Sequence, residues 1–336
     1  MSKVLVTGGL GFIGSHTSVE LINKGYEVFI LDNLSNTRIE VLERIEQITG
    51  RKPGFLEVDL TNRHHTDEVF KNQRFDSIIH FAASKAVGES VEKPLLYYHN
   101  NLASLINLLE LSGAYSIGKF IFSSSCTVYG QPEVLPVTEN TPVLPAESPY
   151  GNTKQIGEEI IRDFCNVNEA LKAISLRYFN PIGAHDSSLI GELPLGVPSN
   201  LVPYLIQTAA GIRNELSVFG GDYETRDGTC IRDYIHVSDV AKAHIAALEL
   251  TPTMKNNYDI FNIGTGQGYT VLEVIESFEK VTGEKLNYKI TDRRPGDIEK
   301  IFADTSKANK LLNWKAEKDL NDMMSSAWKW QLSLSR

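Results

Sequence analysis

The chain has few cysteines, no long apolar run and no surplus of positive charge, and each shortage removes a class of function. Cys126, Cys165 and Cys230 are an odd set of three with no Cys-x-x-Cys pair. Neither a disulfide framework nor a zinc site is indicated, so no metal is expected, and reduced thiols suit a cytoplasmic protein. No apolar run approaches the roughly 18 residues of a membrane helix, and the first apolar segment, Val4-Leu5-Val6, runs straight into glycines. No membrane association, signal peptide or anchor is therefore expected. The formal charge of -9 and the pI near 5.5 offer no basic face to a phosphate backbone; nucleic acid is set aside as a partner, and the charge serves solubility. Internal repeats, low-complexity tracts and linkers are missing too.

What is there is a globular protein. Its 336 residues, 42% of them hydrophobic, suffice for one large or two moderate domains around a buried core. Residues 3–6 read as a short buried strand. Thr7-Gly8-Gly9-Leu10-Gly11-Phe12-Ile13-Gly14 follows and opens a helix that runs to about Lys24. Glycines at 8, 11 and 14 permit a tight turn, close backbone approach and helix–strand packing, which let a pyrophosphate sit on the helix N-terminus. A second strand over 27–31 ends at Asp32, where an acidic side chain would hold an adenosine ribose hydroxyl and favour NAD over NADP. The plain alternative makes the glycines turn residues and Asp32 a strand-end carboxylate; strand, glycines, helix, strand and acid in that order favour the cofactor.

Further strands are expected at 55–58, closed by Asp59-Leu60, at 77–81, at 119–122 and at 173–176. Helices at about 38–49, 95–112 and 150–166 lie between them. Short apolar runs such as Ile78-Ile79, separated by helices, imply an α/β fold: a Rossmann-type doubly wound parallel sheet covered on both faces, with ligands at the carboxyl ends of its strands. From 180 to 235 the chain turns richer in Gly, Pro and short segments. Regular elements return at 234–237, followed by a helix capped by Ser238, a strand at 259–263, and helices near 271–282, 305–313 and 319–331. The expected organisation is a Rossmann domain over 1–179 and a smaller C-terminal α/β substrate domain over 180–336, with some elements crossing back to the first.

Tyr150-Gly151-Asn152-Thr153-Lys154 follows Glu147-Ser148-Pro149, and Pro149 and Gly151 suggest a helix start. The four-residue spacing places phenol and ammonium on one helix face, about one turn apart. An isolated tyrosine keeps its proton to roughly pH 10, and a nearby positive charge favours the phenolate, so Tyr150 beside Lys154 is a candidate general base. Such pairs also occur on solvated helix faces, and the pattern carries weight only with the rest of the chain. The run 123–130 gathers hydroxyls at a strand's carboxyl end, either as substrate ligands or as turn-forming serines. Asn100 and Asn101 interrupt the apolar 95–112 helix, where an amide taken alone reads as a solvated residue.

The three-and-three glycine spacing is similar to that of extended short-chain dehydrogenases/reductases, and nearly the whole chain resembles one family among them, the UDP-glucose (UDP-galactose) 4-epimerases. Carrying the resemblance are Val6-Thr7-Gly8-Gly9, Leu31-Asp32-Asn33-Leu34, 85–90, 122–130, 148–154, 177–184, Asn200-Leu201 and 232–236; 85–90 and 177–184 are the most specific. The resemblance implies that NAD is held by Gly8, Gly11, Phe12, Ile13, Gly14, Asp32, Asn33, Asp59, Leu60, Phe81, Ala82, Lys85 and Asn100, with Tyr150, Lys154 and Tyr178 beside the nicotinamide. It implies a UDP-sugar on Ser125, Tyr150, Asn180, Asn200, Leu201, Phe219, Arg232, Arg294 and Asp297. Arginines also make independent sense there, because a diphosphate rewards bidentate guanidinium contacts.

The implied chemistry is a transient oxidation. Tyr150, its pKa lowered by Lys154 and the nicotinamide charge, takes the sugar's 4-hydroxyl proton while hydride leaves carbon 4 for NAD; Ser125 hydrogen-bonds the same oxygen. The 4-keto sugar then turns over and is reduced on its other face. A homodimer packed through helices near Asn100 and Tyr150 is implied as well. Ser84 and Cys126 depart from the family pattern without removing a reacting group. Related dehydratases carry an Asp-Glu pair where Val128 follows Thr127 here, which argues against water loss; a uronate or N-acetylhexosamine epimerase and a non-catalytic nucleotide sensor are the remaining alternatives. In the family, the residue four beyond the aspartate of Arg294-Pro295-Gly296-Asp297 limits space beside the sugar's 2-position. That residue is Ile301, stiff at its branched carbon; it predicts a preference for sugars without an N-acetyl group, and the plain alternative is that Ile301 simply packs in a strand.

Overall fold

A computed structural model describes residues 2–294 and 297–334; Pro295 and Gly296 of the motif around Arg294 lie outside the described residues. The first half alternates strand and helix: β1 (Lys3–Thr7), α1 (Phe12–Asn23), β2 (Glu27–Asp32), α2 (Glu40–Thr49), β3 (Gly54–Glu57), α3 (Arg63–Asn72), β4 (Ser77–His80), α4 (Val87–Glu92), α5 (Pro94–Ala114), β5 (Lys119–Ser125), α6 (Pro149–Val167) and β6 (Lys172–Tyr178). The second half runs β7 (Asn180–Ile182), α7 (Leu201–Ala209), β8 (Leu216–Phe219), β9 (Ile231–Arg232), β10 (Tyr234–His236), α8 (Val237–Leu250), β11 (Tyr258–Ile263), β12 (Tyr269–Thr270), α9 (Val271–Thr282), β13 (Tyr288–Thr291), β14 (Lys300–Ile301), α10 (Ser306–Leu311) and α11 (Leu320–Ser333).

Seven strands form one parallel sheet in the order β11-β6-β5-β4-β1-β2-β3. The expected doubly wound Rossmann-type sheet is present. Its strand order reverses between β1 and β4, which opens a crevice at their carboxyl ends. Strand alternation sends side chains to two apolar layers. Val4, Val6, Ile79, Ile121 and Ile174 pack with Val19, Ile22, Val240 and Ile245 from α1 and α8; Leu5, Ile78, Phe120 and Phe122 pack with Leu105, Leu108 and Ile161 from α5 and α6. Both faces are covered, which is why these strands read as near-continuous apolar runs.

Three elements from beyond residue 180 return to this body: α8 packs on α1, β11 extends the sheet beside β6, and α10 buries Ala308 in the layer of α1 and α8. A third core, with Leu205, Phe278, Met323 and Met324, joins α7, α9 and α11. Small sheets, β10-β7, β12-β9-β14 and β13-β8, lie among these elements.

The structure corrects several boundaries. Helices α3, α4 and α7 went unexpected; α3 buries Thr66, Val69 and Phe70 at helical spacing, but one threonine and two apolar residues among ten make a weak signal. The cap of α8 is His236, not Ser238, because β10 runs directly into the helix and the extended His236 turns its Nδ1 to accept the Ser238 N–H at 3.1 Å.

Candidate active site

The β1–α1 turn closes tightly on its neighbours. Gly8 has φ +67, and a Cβ there would lie 2.7 Å from the Ala82 backbone nitrogen; a Cβ on Gly14 would collide with the Gly8 carbonyl oxygen. The Gly8 N–H donates to the Leu31 carbonyl at 2.7 Å, locking the turn against β2. Helix α1 begins after Gly11 without a side-chain cap, in contrast to α6, where Ser148 accepts the Gly151 N–H. The amides of the Phe12-Ile13-Gly14 turn are thus left for an anion. At the end of β2 the Asp32 carboxylate is oriented by the Leu10 N–H at 3.2 Å, the Leu34 N–H at 3.0 Å and the Thr37 hydroxyl at 2.8 Å. Asn33 accepts the Ser35 N–H, Asp59 accepts the Thr61 N–H and hydroxyl, and Leu60 is buried. The Phe81 ring packs 4.6 Å from that of buried His244. A cradle with no room for side chains, uncapped amides and a fixed carboxylate at the next strand end fits a dinucleotide.

Beside it, the carboxyl end of β5 supplies Ser123, Ser124 and Ser125, with Ser124 opposite Arg177 and Ser125 opposite Tyr178 on β6. Pro149 in the first turn and the Ser148 cap start α6, whose Tyr150 and Lys154 face these serines. The Lys154 ammonium donates to the Ser123 carbonyl at 2.7 Å and lies 4.8 Å from the Phe122 ring and 5.8 Å from the Tyr150 ring. The Tyr178 hydroxyl is hydrogen-bonded to the Ser123 hydroxyl, and Ser125 Oγ accepts the Thr127 N–H at 3.3 Å. Burial pulls Lys154 down to about 7, with Glu158 opposing. Burial also pushes the Tyr150 phenol up to about 12, only partly offset by a hydrogen bond with Ser125. Loss of solvent dominates the phenol in the protein alone, while the Lys154 ammonium is engaged by the Ser123 carbonyl.

A third set of residues flanks this face. Asp297 accepts Arg294 Nη2 at 2.6 Å and lies 3.9 Å from Arg232 Nη2, and the Arg294 guanidinium stands 5.5 Å from the Phe219 ring. Phe219, Arg232, Arg294 and Asp297 are thus brought together. Asn180 follows Tyr178 by two residues, and its buried Oδ1 finds no hydrogen-bond partner among the described residues. Ile301 pairs with Arg232 across β14 and β9 and is buried against Cys126, Tyr129 and Phe179.

Asn200 and Leu201 stand apart from that set, at the start of α7. Asn200 donates to Glu192 Oε1 at 3.0 Å, and the same oxygen takes the Lys85 ammonium at 3.0 Å. Glu192 sits in a Gly- and Pro-rich stretch with no pattern to mark it. Asn100 donates to the Ser84 hydroxyl at 3.2 Å. Its neighbour Asn101, which as a lone amide reads as solvated, is instead buried and uses its whole amide: Oδ1 takes the Ser84 backbone N–H and the Asn100 side-chain amide, and Nδ2 reaches the Ser84 carbonyl and the Thr153 hydroxyl. It thereby ties the loop after β4 to α6.

A family model described as GDP-mannose 4,6 dehydratase matches residues 5–327. UDP-glucose 4-epimerase of Bacillus subtilis is 51% identical over 330 residues, covering 98% of this chain and 97% of that protein. The crystal structure of UDP-glucose 4-epimerase from Bifidobacterium longum in complex with NAD+ and UDP superposes with a TM-score of 0.95 at 48% identity, covering 99% of this chain and 98% of that one. The crystal structure of the Stenotrophomonas maltophila enzyme with bound NAD and formylated UDP-arabinopyranose gives a TM-score of 0.97 at 46% identity, covering 100% and 99%.

Proposed function

The chain belongs to the UDP-glucose 4-epimerase family of extended short-chain dehydrogenases/reductases, and from that premise we infer that it interconverts UDP-galactose and UDP-glucose by inverting carbon 4 through a transient 4-keto sugar, with NAD bound throughout. Carrying the reading is the convergence of Ser125, Tyr150, Lys154 and Tyr178 at the carboxyl ends of β5 and β6, beside the glycine turn. NAD, when bound, supplies a reversible hydride acceptor, so the reaction has no net redox change.

The chain's own groups have separable tasks. Gly8, Gly11 and Gly14 with the α1 amides hold the cofactor's pyrophosphate; Asp32, Asn33, Asp59, Leu60, Phe81, Ala82, Lys85 and Asn100 hold the rest. Phe219, Arg232, Arg294 and Asp297 hold the UDP half of the substrate, and Asn180, Asn200 and Leu201 line the remainder. Tyr150 takes the 4-hydroxyl proton and returns it, Ser125 hydrogen-bonds the same oxygen, and Lys154 supplies positive charge near the phenol, which is what favours the phenolate. Dehydration is disfavoured because Thr127 is followed by buried Val128 rather than an acid–base pair.

The same reading takes residues 1–179 as the cofactor domain and 180–336 as the substrate domain, with α8, β11 and α10 crossing back. It places the protein in the cytoplasm, in keeping with three free, buried cysteines and with no helix among the described residues long and apolar enough to cross a membrane. It makes the working form a homodimer through α5 and α6, the first of which exposes Leu95, Leu96 and Ile106.

The test is incubation with UDP-galactose and assay for UDP-glucose, beside a Tyr150→Phe variant. That variant lowers turnover by about a hundredfold or more, as loss of a general base does, while nucleotide-sugar binding is retained. No interconversion by the parent overturns the reading; near-normal turnover in the variant overturns the role of Tyr150.

A further inference from the structure

Behind the reacting groups lies a buried charge pair that the reaction as described does not use. Glu158 follows Lys154 by four residues and Tyr150 by eight on α6, so the three side chains share one helix face. Its carboxylate accepts the Ser124 hydroxyl at 2.5 Å and Arg177 Nε and Nη2 at 2.9 and 2.6 Å. The side chains of Arg177 and Glu158 are only 3% and 8% exposed. Strand alternation turns Ser124 toward this pair and Ser123 and Ser125 the other way, and the carbonyl of Ser123 receives the Lys154 ammonium. A buried ion pair is weak evidence for stability, since apolar side chains of like volume often do as well. The placement of this one calls for another reason.

We propose that Glu158 is a positioning residue for the reaction: pinned by Ser124 and Arg177, its carboxylate keeps Lys154 an ammonium directed at Ser123 and Tyr150, and it fixes the strand end that carries Ser125. The inference rests on the reading of Lys154 as a reacting-site group. Lys154 is 4% exposed, and burial works against its charge, with the Phe122 ring face offering only a modest cation–π contact. Around it, His80 on β4 is kept neutral by burial, down to about 3. Burial pushes the phenols of Tyr150 on α6 and Tyr178 on β6 up, and Arg177 on β6 is paired with Glu158. Among these groups Glu158 supplies the negative charge, and it acts on Lys154 against burial.

The experiment is a pH titration of the Lys154 side chain by NMR in the NAD-loaded enzyme, with turnover measured over the same range. Glu158→Gln removes the neighbour that favours the charged amine, so Lys154 loses its proton at lower pH. The midpoint falls by about one pH unit or more, and the alkaline limb of turnover falls with it. That variant strands Arg177 and can fail to fold; the double variant Glu158→Met/Arg177→Met replaces the pair with apolar side chains and also lowers the midpoint. Ser124→Ala leaves both charges and keeps the midpoint. A folded double variant with the parent midpoint overturns the proposal. A lowered midpoint with an unchanged turnover profile leaves the hold on Lys154 standing and overturns instead the reading of Lys154 as a reacting-site group.

Discussion

The role proposed for Ile301 as a limit on which sugars fit can be tested on one side chain. Ile301 is 2% exposed, and its neighbours include Cys126, next in sequence to Ser125, and Phe179, next to Tyr178. Its wall therefore stands directly behind residues at the reacting face. Branching at Cβ leaves it few rotamers, so it yields less readily than an unbranched residue would. Catalytic efficiency on UDP-galactose and UDP-glucose should exceed that on the N-acetylated pair, and Ile301→Gly should narrow the difference. Since Cys126, Tyr129 and Phe179 would border the vacated space, the variant should also lose about 2–5 kcal/mol of stability, the usual range for large-to-small core changes, readable by denaturant unfolding. Equal efficiencies on the two pairs for the parent enzyme would show that Ile301 does not gate the pocket.

At the scale of elements, legibility follows how local the cause is. The β1-turn-α1-β2 unit was readable because glycine, apolar run and strand-end acid each act within their own segment, and the seven-stranded sheet followed from apolar runs between helices. Two-residue strands such as β9 and β14 are fixed by tertiary neighbours and leave no period to read; α3 and α7 bury residues at helical spacing, 66, 69 and 70 in one and 202, 205 and 206 in the other, a signal too brief to stand out beside polar α3 and the Gly- and Pro-rich setting of α7. Asn101 could be picked out only as an amide interrupting an apolar helix, and Glu192 not at all, because their partners, Ser84 and Thr153 for one, Lys85 and Asn200 for the other, are remote in sequence. The upward shift of Tyr150 depends on burial, which spacing does not report. The local cause in the glycine turn can be tested directly. An alanine methyl at Gly14 would meet the Gly8 carbonyl and lie 2.8 Å from the Gly9 Cα, whereas one at Gly88 would meet nothing within 4 Å. Gly14→Ala should therefore purify with much less NAD, assayed in the supernatant after denaturation, while Gly88→Ala keeps the parent content. Equal NAD in the two variants would remove the turn from the cofactor site.

At the scale of the whole molecule, the proposed homodimer rests on a surface the single chain leaves apolar. From 94 to 109 the sequence has no Asp, Glu, Lys or Arg. Tyr97, Leu105 and Leu108 of that stretch are buried, but Leu95 is 80% exposed, Leu96 49% and Ile106 41%, and Val91 on the preceding helix α4 is 62% exposed. Helix α5 is held from within by α6, so these side chains are not waiting on a rearrangement of the same chain. Exposed apolar side chains on a helix stretch without Asp, Glu, Lys or Arg suit an interface core better than a solvated surface, and a self-complementary face pairs about a twofold axis. Light scattering should then give about twice the chain mass of 37.4 kDa. Leu95→Glu should shift it toward the single-chain mass, because each copy would bring a carboxylate into the apolar contact. Since the glycine turn and Asp32 lie within one chain, NAD content should survive the change. A parent protein with the single-chain mass at micromolar concentration would overturn the dimer, and a Leu95→Glu variant with undiminished mass would move the contact away from α5.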